Sequence, residues 1–108
     1  MTLSDINTLL SSIAGFTGKV AYYAFPEDAA PCLPFICYYE DESDNFAADG
    51  IVYHPILRVT IELYSRHKDT QSEALIEAAL TAAGIFWEKN ETYIDTEKVF
   101  METYEIEV

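Results

Sequence analysis

Basic side chains are scarce in this chain. Six Lys and Arg stand against nineteen Asp and Glu, for a formal charge of −13, and no Lys or Arg lies between Val20 and Leu57. That balance repels phosphate backbones and anionic lipid surfaces, which disfavours nucleic acid and membranes as partners. Glycine is also sparse. With four glycines and neither a Gly-rich phosphate loop nor a Gly-x-Ser-x-Gly elbow, nucleotide and hydrolase chemistry lose support. No segment approaches the roughly 18 apolar residues that span a bilayer. The opening Met1-Thr-Leu-Ser-Asp5 lacks a basic stretch before an apolar run, so synthesis in the cytoplasm is expected.

Cysteine is limited to Cys32 and Cys37, five apart with Pro34 between them. One such pair is weak ground for a disulfide or a metal site, and both are expected as buried or half-buried free thiols. The two histidines, His54 and His67, stand thirteen residues apart without ligands at a metal-motif spacing; exposed strand ends suit them better. The stretch Asp41-Glu-Ser-Asp-Asn-Phe-Ala-Ala-Asp-Gly50 invites comparison with a calcium loop. It carries Phe46 where the sharp-turn glycine belongs, and its flanks are strand-like. No metal and no cofactor is expected, and no nucleophile, base and orienting group can be assembled into an enzyme.

What the chain has is apolar surface. Half of the residues are hydrophobic and 14% aromatic, with eight Tyr and six Phe, so a folded core is expected. The 108 residues point to one domain, 1–108.

Thr2 and Asp5 form a capping-box pair, and Leu3, Ile6, Leu10 and Ile13 follow at helical spacing, predicting a helix from about Leu3 to Ile13 that stops near Gly15. Lys19 to Ala24 reads as a strand. The prolines at 26, 31 and 34 then make Phe25 to Pro34 a loop. Phe35 to Tyr39 is a short apolar strand, and Glu40 to Gly50 breaks it.

Ile51 to Tyr64 reads as a strand with Val59, Ile61 and Leu63 facing the core and Arg58, Thr60, Glu62 and Tyr64 facing away; Pro55 suggests a bulge or an unpaired edge at its start. Thr70 with Glu73 predicts a second capping box. From it a helix carries the stripe Leu75, Ile76, Ala79, Leu80 and Ala83, and Gly84 ends it. Ile85 to Tyr93 and Val99 to Val108 predict a closing antiparallel pair, with Tyr104, Ile106 and Val108 on one face and Glu105 and Glu107 on the other. The expected fold is α+β: a single mainly antiparallel sheet with two helices packed on one face, in the order α-β-β-β-α-β-β.

Two features stand apart. Glu102 lies in phase with Tyr104 and Ile106, which puts it either at the rim of the core or in a subunit contact. Tyr22, Tyr23, Tyr38, Tyr39, Tyr53 and Tyr64 are numerous for a small acidic domain; at least half are expected to fill the core. If several are exposed on opposite strand faces, self-association would cover them.

In segment order the chain resembles the tail-completion, or tail-terminator, proteins of long-tailed bacteriophages and prophages. The resemblance is carried by Pro34-Phe-Ile-Cys-Tyr-Tyr-Glu40, Asn45-Phe-Ala-Ala-Asp49, Ile61-Glu-Leu-Tyr64, Ala83-Gly-Ile-Phe-Trp-Glu-Lys89 and Tyr104-Glu-Ile-Glu-Val108. It implies a virion component without catalytic residues, assembled in the bacterial cytoplasm. Such a protein forms a homo-oligomeric ring, typically a hexamer, on the tail tube and offers a surface to the head-connector protein. Candidate contacts are Phe25 and Pro26 in the Pro-rich loop, with Asp41, Glu42, Asp44, Asn45, Phe46 and Asp49 in the acidic loop. The same motifs fit a neighbouring head-closure or connector subunit. Charge alone also allows a small acidic mimic of DNA that blocks a nucleic-acid-binding host protein.

Overall fold

The computed structural model describes residues 1–41, 46–48, 51–54 and 56–108. A helix α1 (Leu3–Ser11) is followed by β1 (Val20–Tyr22), β2 (Phe35–Glu40), β3 (Phe46–Ala48), β4 (Ile51–His54) and β5 (Arg58–Ser65). Then come α2 (Thr70–Ala82), β6 (Trp87–Ile94) and β7 (Val99–Glu107). Five strands form one sheet in the order β1-β2-β5-β7-β6, and β3 and β4 form a separate hairpin. Within the five-stranded sheet only β1 and β2 run parallel; the other ladders are antiparallel. The fold is α+β, and its helices and main-sheet strands follow the expected order α-β-β-β-α-β-β.

The hairpin is where the structure departs from the sequence reading. The segment Ile51 to Tyr64 divides into β4, which pairs back on β3, and β5, which enters the main sheet. Part of the acidic loop is therefore strand. Ala47 and Ala48 have little β propensity and acids flank the segment, so the local pattern predicts loop; pairing with Ile51–His54 supplies what local propensity does not. Pro55 lies outside the described residues.

α1 starts as its cap pair dictates. Thr2 Oγ1 accepts from the Asp5 N–H at 3.2 Å while the Asp5 carboxylate accepts from the Thr2 N–H at 2.8 Å. The start of α2 differs. Its cap is Asp69, not Thr70: Asp69 Oδ1 accepts from the Ser72 N–H at 3.0 Å and Oδ2 from the Ser72 hydroxyl at 2.8 Å. An Asp immediately before a Thr competes for the cap with a better acceptor, and Glu73 is drawn elsewhere, as described below. Asp69→Ala is accordingly expected to cost about 1 kcal/mol, whereas Thr70→Ala stays within about 0.5 kcal/mol. Urea melts of the two variants read this directly.

α2 ends as expected. Gly84, at φ +75°, donates to the Thr81 carbonyl at 3.0 Å, and Ile85 donates to the Leu80 carbonyl at 2.9 Å with both side chains buried. The buried face of α2 runs through Ser72, Glu73, Ile76 and Leu80; Leu75 and Ala83, expected in the stripe, are exposed.

Cross-strand register then explains the core. One row reads Tyr38, Ile61, Tyr104, Lys89 and the next Ile36, Leu63, Glu102, Glu91. Both helices cover this face: Asn7 of α1 donates to the Tyr38 hydroxyl at 3.0 Å, and the Tyr104 hydroxyl donates to Glu77 of α2 at 2.8 Å. Ile6, Leu10, Ile76 and Leu80 meet Val59, Ile61 and Leu63 in one fully buried cluster.

Candidate interaction surfaces and a buried charge cluster

The face of the sheet turned away from the helices carries Cys37, Tyr39, Thr60, Glu62, Tyr64, Met101 and Thr103, because alternate residues of each strand must point there. An aromatic row crosses one end of it. Phe25 stands edge-on to Phe35 with ring centres 5.2 Å apart, and Phe35 lies 5.3 Å from Tyr64. Tyr23 lies 5.8 Å from Tyr39, yet the residue is 70% exposed and its backbone is held at φ +69°. A shallow hollow of about 270 Å³ opens among Tyr23, Phe25, Pro26, Phe35 and Tyr64. Cys37 at its floor is buried, and burial first, then the nearby Glu62 carboxylate, pushes its thiol up to about 11. Cys32 is exposed, against the expectation of a buried or half-buried thiol, because it sits in the proline loop and not on a strand.

The structure does not bring the two groups of candidate contact residues together. Phe25 and Pro26 lie beside Phe35 at the start of β2. Asp41 follows its other end, about 20 Å away by strand rise, where its carboxylate accepts from the Thr60 hydroxyl at 2.7 Å. Phe46 opens β3 opposite His54. Glu42, Asp44, Asn45 and Asp49 lie outside the described residues. The expectation for Tyr53 and His54 concerned side chains that are likewise outside them. His67 is exposed, as expected.

An open groove of about 610 Å³ collects Cys32, His67, Lys68 and Asp69 among its walls. It has the residue types of a nucleophile, base and orienting acid without the arrangement. Both Asp69 oxygens are engaged by Ser72, and among the described residues no hydrogen bond joins Cys32 to His67.

Glu102 is neither at the rim nor in an exposed contact patch. It is 0% exposed and sits in a cluster of charges at the end of the core. Lys68 Nζ donates to Glu73 Oε1 at 2.9 Å, Glu91 Oε1 at 2.6 Å and Glu102 Oε1 at 3.0 Å, so one ammonium serves three carboxylates. Lys89 Nζ lies 2.6 Å from Glu73 and 2.8 Å from Glu77, which also accepts from Tyr104.

The carboxylates of Glu73, Glu91 and Glu102 approach within 4.8 Å of one another, the spacing of a cation site, and the cation among them is Lys68. Four acids thus face two amines. One oxygen each of Glu73 and Glu102 is buried without a partner. Burial, and then the Glu91 carboxyl beside it, pushes the Glu102 carboxyl up to about 7. The neighbouring Glu102 carboxyl, then the hydrogen bond from Lys68, holds Glu91 below the ordinary carboxylate value, and the Glu91 and Glu73 contacts raise Lys68.

Only Glu102 of this cluster stands out in the sequence, by its phase; the spacing of Glu73 from Thr70 predicts a capping acid. The joining residue, Lys68, lies in the loop between β5 and α2, and no periodicity marks a loop residue.

No protein-family model and no curated protein sequence matches the chain.

Proposed function

We propose that this chain is a non-catalytic structural subunit of the head-to-tail joint of a long-tailed bacteriophage or prophage, similar to the tail terminators that cap the tube as a ring. The observation that carries the reading is the sheet face that neither helix covers. Its aromatic row, with Tyr23 held exposed in a left-handed conformation that a bulky residue rarely adopts, suits burial against another protein better than life in water. The segments behind the resemblance supply this face directly: Phe35, Cys37 and Tyr39 come from one motif, Tyr64 from another. A net charge of −13 suits a lumen through which DNA passes without adhering.

The test is solution mass by light scattering, alone and with tail-tube protein. Ring-sized species, or a complex on the ends of tubes, are expected. A chain that ignores tubes but captures a basic host protein in a salt-sensitive complex would instead favour the DNA-mimic reading. Tyr23→Gly separates folding from assembly. By relieving the backbone it should leave the domain about 1 kcal/mol more stable in thermal melts while weakening assembly; intact assembly would remove this face from the contact.

A further inference from the structure

The end of the sheet opposite β1 is formed by β6, eight residues long and hydrogen-bonded to β7 on one side only. Six of its residues, Glu88 to Tyr93, are exposed. An outermost strand offers a row of N–H and C=O groups to any strand that can lie beside it. The other edge, β1, has three residues and offers little.

We propose that β6 is a self-pairing edge: two copies of this chain join through it, antiparallel, about a two-fold axis at Asn90. Five strands from each copy then make one continuous ten-stranded sheet.

Charge and side-chain order along β6 select this partner and this register. A two-fold axis perpendicular to the sheet keeps the helix-bearing faces on one side, so only residues of the same face can stand opposite one another. Registers centred between two residues violate this. With Asn90 on the axis, Lys89 stands opposite Glu91 of the second copy, Trp87 opposite Tyr93, Glu88 opposite Thr92 and Phe86 opposite Ile94. The set contains an opposite-charge pair on each side of the axis, an aromatic pair and an apolar pair, and no like charges meet. Moving the axis one residue either way fails: centred on Glu91 it sets Glu91 against itself, and centred on Lys89 it sets Lys89 against itself.

Exposure agrees with the pairing. Phe86 is 78% exposed and Tyr93 46%, the two ends of the proposed ladder, and each gains an apolar neighbour from the second copy. Lys89 and Glu91 retain open sides although both bind within their own chain. The pairing is read from β6 alone and does not depend on the phage reading. An isologous contact closes on itself, so any ring would be built through the aromatic face instead.

With the aromatic contact weakened by Tyr23→Gly, sedimentation over a concentration series should show the 12.2 kDa chain passing to a species of twice that mass. Asn90→Lys sets like charges on the axis and should raise the concentration for half-dimerisation about tenfold or more. Asn90 is exposed and makes no side-chain hydrogen bond among the described residues, so at concentrations where the parent is monomeric the melting curve of this variant should match the parent's.

Register is read separately. In a Cys32→Ser background, Asn90→Cys should oxidise to a covalent dimer, because directly opposed residues lie about 4.5 to 5.5 Å apart at Cα, within disulfide reach. Glu91→Cys and Lys89→Cys should not. A monomer at every concentration, preferential cross-linking through Glu91→Cys, or species larger than a dimer that Asn90→Lys dissolves would each overturn the proposal.

Discussion

Lys68→Met is expected to destabilise the domain at pH 8 by about 3 kcal/mol, at the lower end for a broken buried ion pair because the lysine itself is partly open to water; this is roughly 15 °C in Tm for a domain of this size. The substitution keeps the side-chain length and removes the charge. Glu73 retains Lys89 at 2.6 Å, but Glu102, whose side chain is 1% exposed, retains only another carboxylate beside it. The loss should shrink to about half at pH 5, where the Glu102 carboxyl carries a proton and needs its counter-ion less. Guanidinium melts at the two pH values measure both figures. A loss below about 0.5 kcal/mol, the range of ordinary surface substitutions, would mean that the three-carboxylate contact contributes nothing in solution.

The second large effect is a fall in stability as pH rises. In the folded chain the Glu102 carboxyl stands at about 7 against an ordinary value of 4.5, so between those values the native state holds a proton that the unfolded chain has released. Stability from this group is fully present below about pH 4.5 and is lost as pH climbs through 7. The expected loss is about 2 kcal/mol, less than the whole displacement would give, because the side of the cluster open at Lys68 admits water and screens it.

The other displaced groups of the cluster act outside that window. Glu91 and Glu77 are held low and matter below it; burial alone would raise Glu77, but its Lys89 and Tyr104 hydrogen bonds prevail. Lys68 and Lys89 are raised and matter in alkali. Glu102→Gln keeps the shape, supplies a permanent donor and removes one of four negative charges. It should flatten the profile between pH 5 and 7 and leave the variant at least as stable as the parent at pH 8. Combined with Lys68→Met it should recover most of the lost stability. Parallel pH profiles for parent and Glu102→Gln would show that Glu102 is ionised throughout and that the excess charge is carried elsewhere.

Where the fold was legible, a single local rule was enough. The Thr2–Asp5 cap, the glycine at the end of α2, the alternation of Val59, Ile61 and Leu63 and the placement of Tyr104 and Ile106 each depend on neighbours within a turn or on one buried face. The misreadings have one origin. Thr70 looked like a cap because Glu73 stood three residues on, but Glu73 was recruited by lysines 5 residues before it and 16 after it in sequence. Phe46 to Ala48 looked like loop because its pairing partner begins beyond it. Of the contact candidates, Phe25 and Pro26 do border the aromatic hollow, while Asp41 is held at the far end of β2 by Thr60.

Residue types and periods of two or 3.6 were enough to mark both helices, the strands of the main sheet, though with β4 and β5 read as one, most of their buried faces, and the net negative charge. What required the packed chain was that a glutamate in phase with the core, a loop lysine and two acids from other elements meet in one charge cluster. So did the arrangement that leaves one face of the sheet without a helix over it and makes β6 the end of the sheet. Each of these depends on which strands lie side by side, and strand order is set by the packing of the whole chain, a quantity that no local pattern encodes.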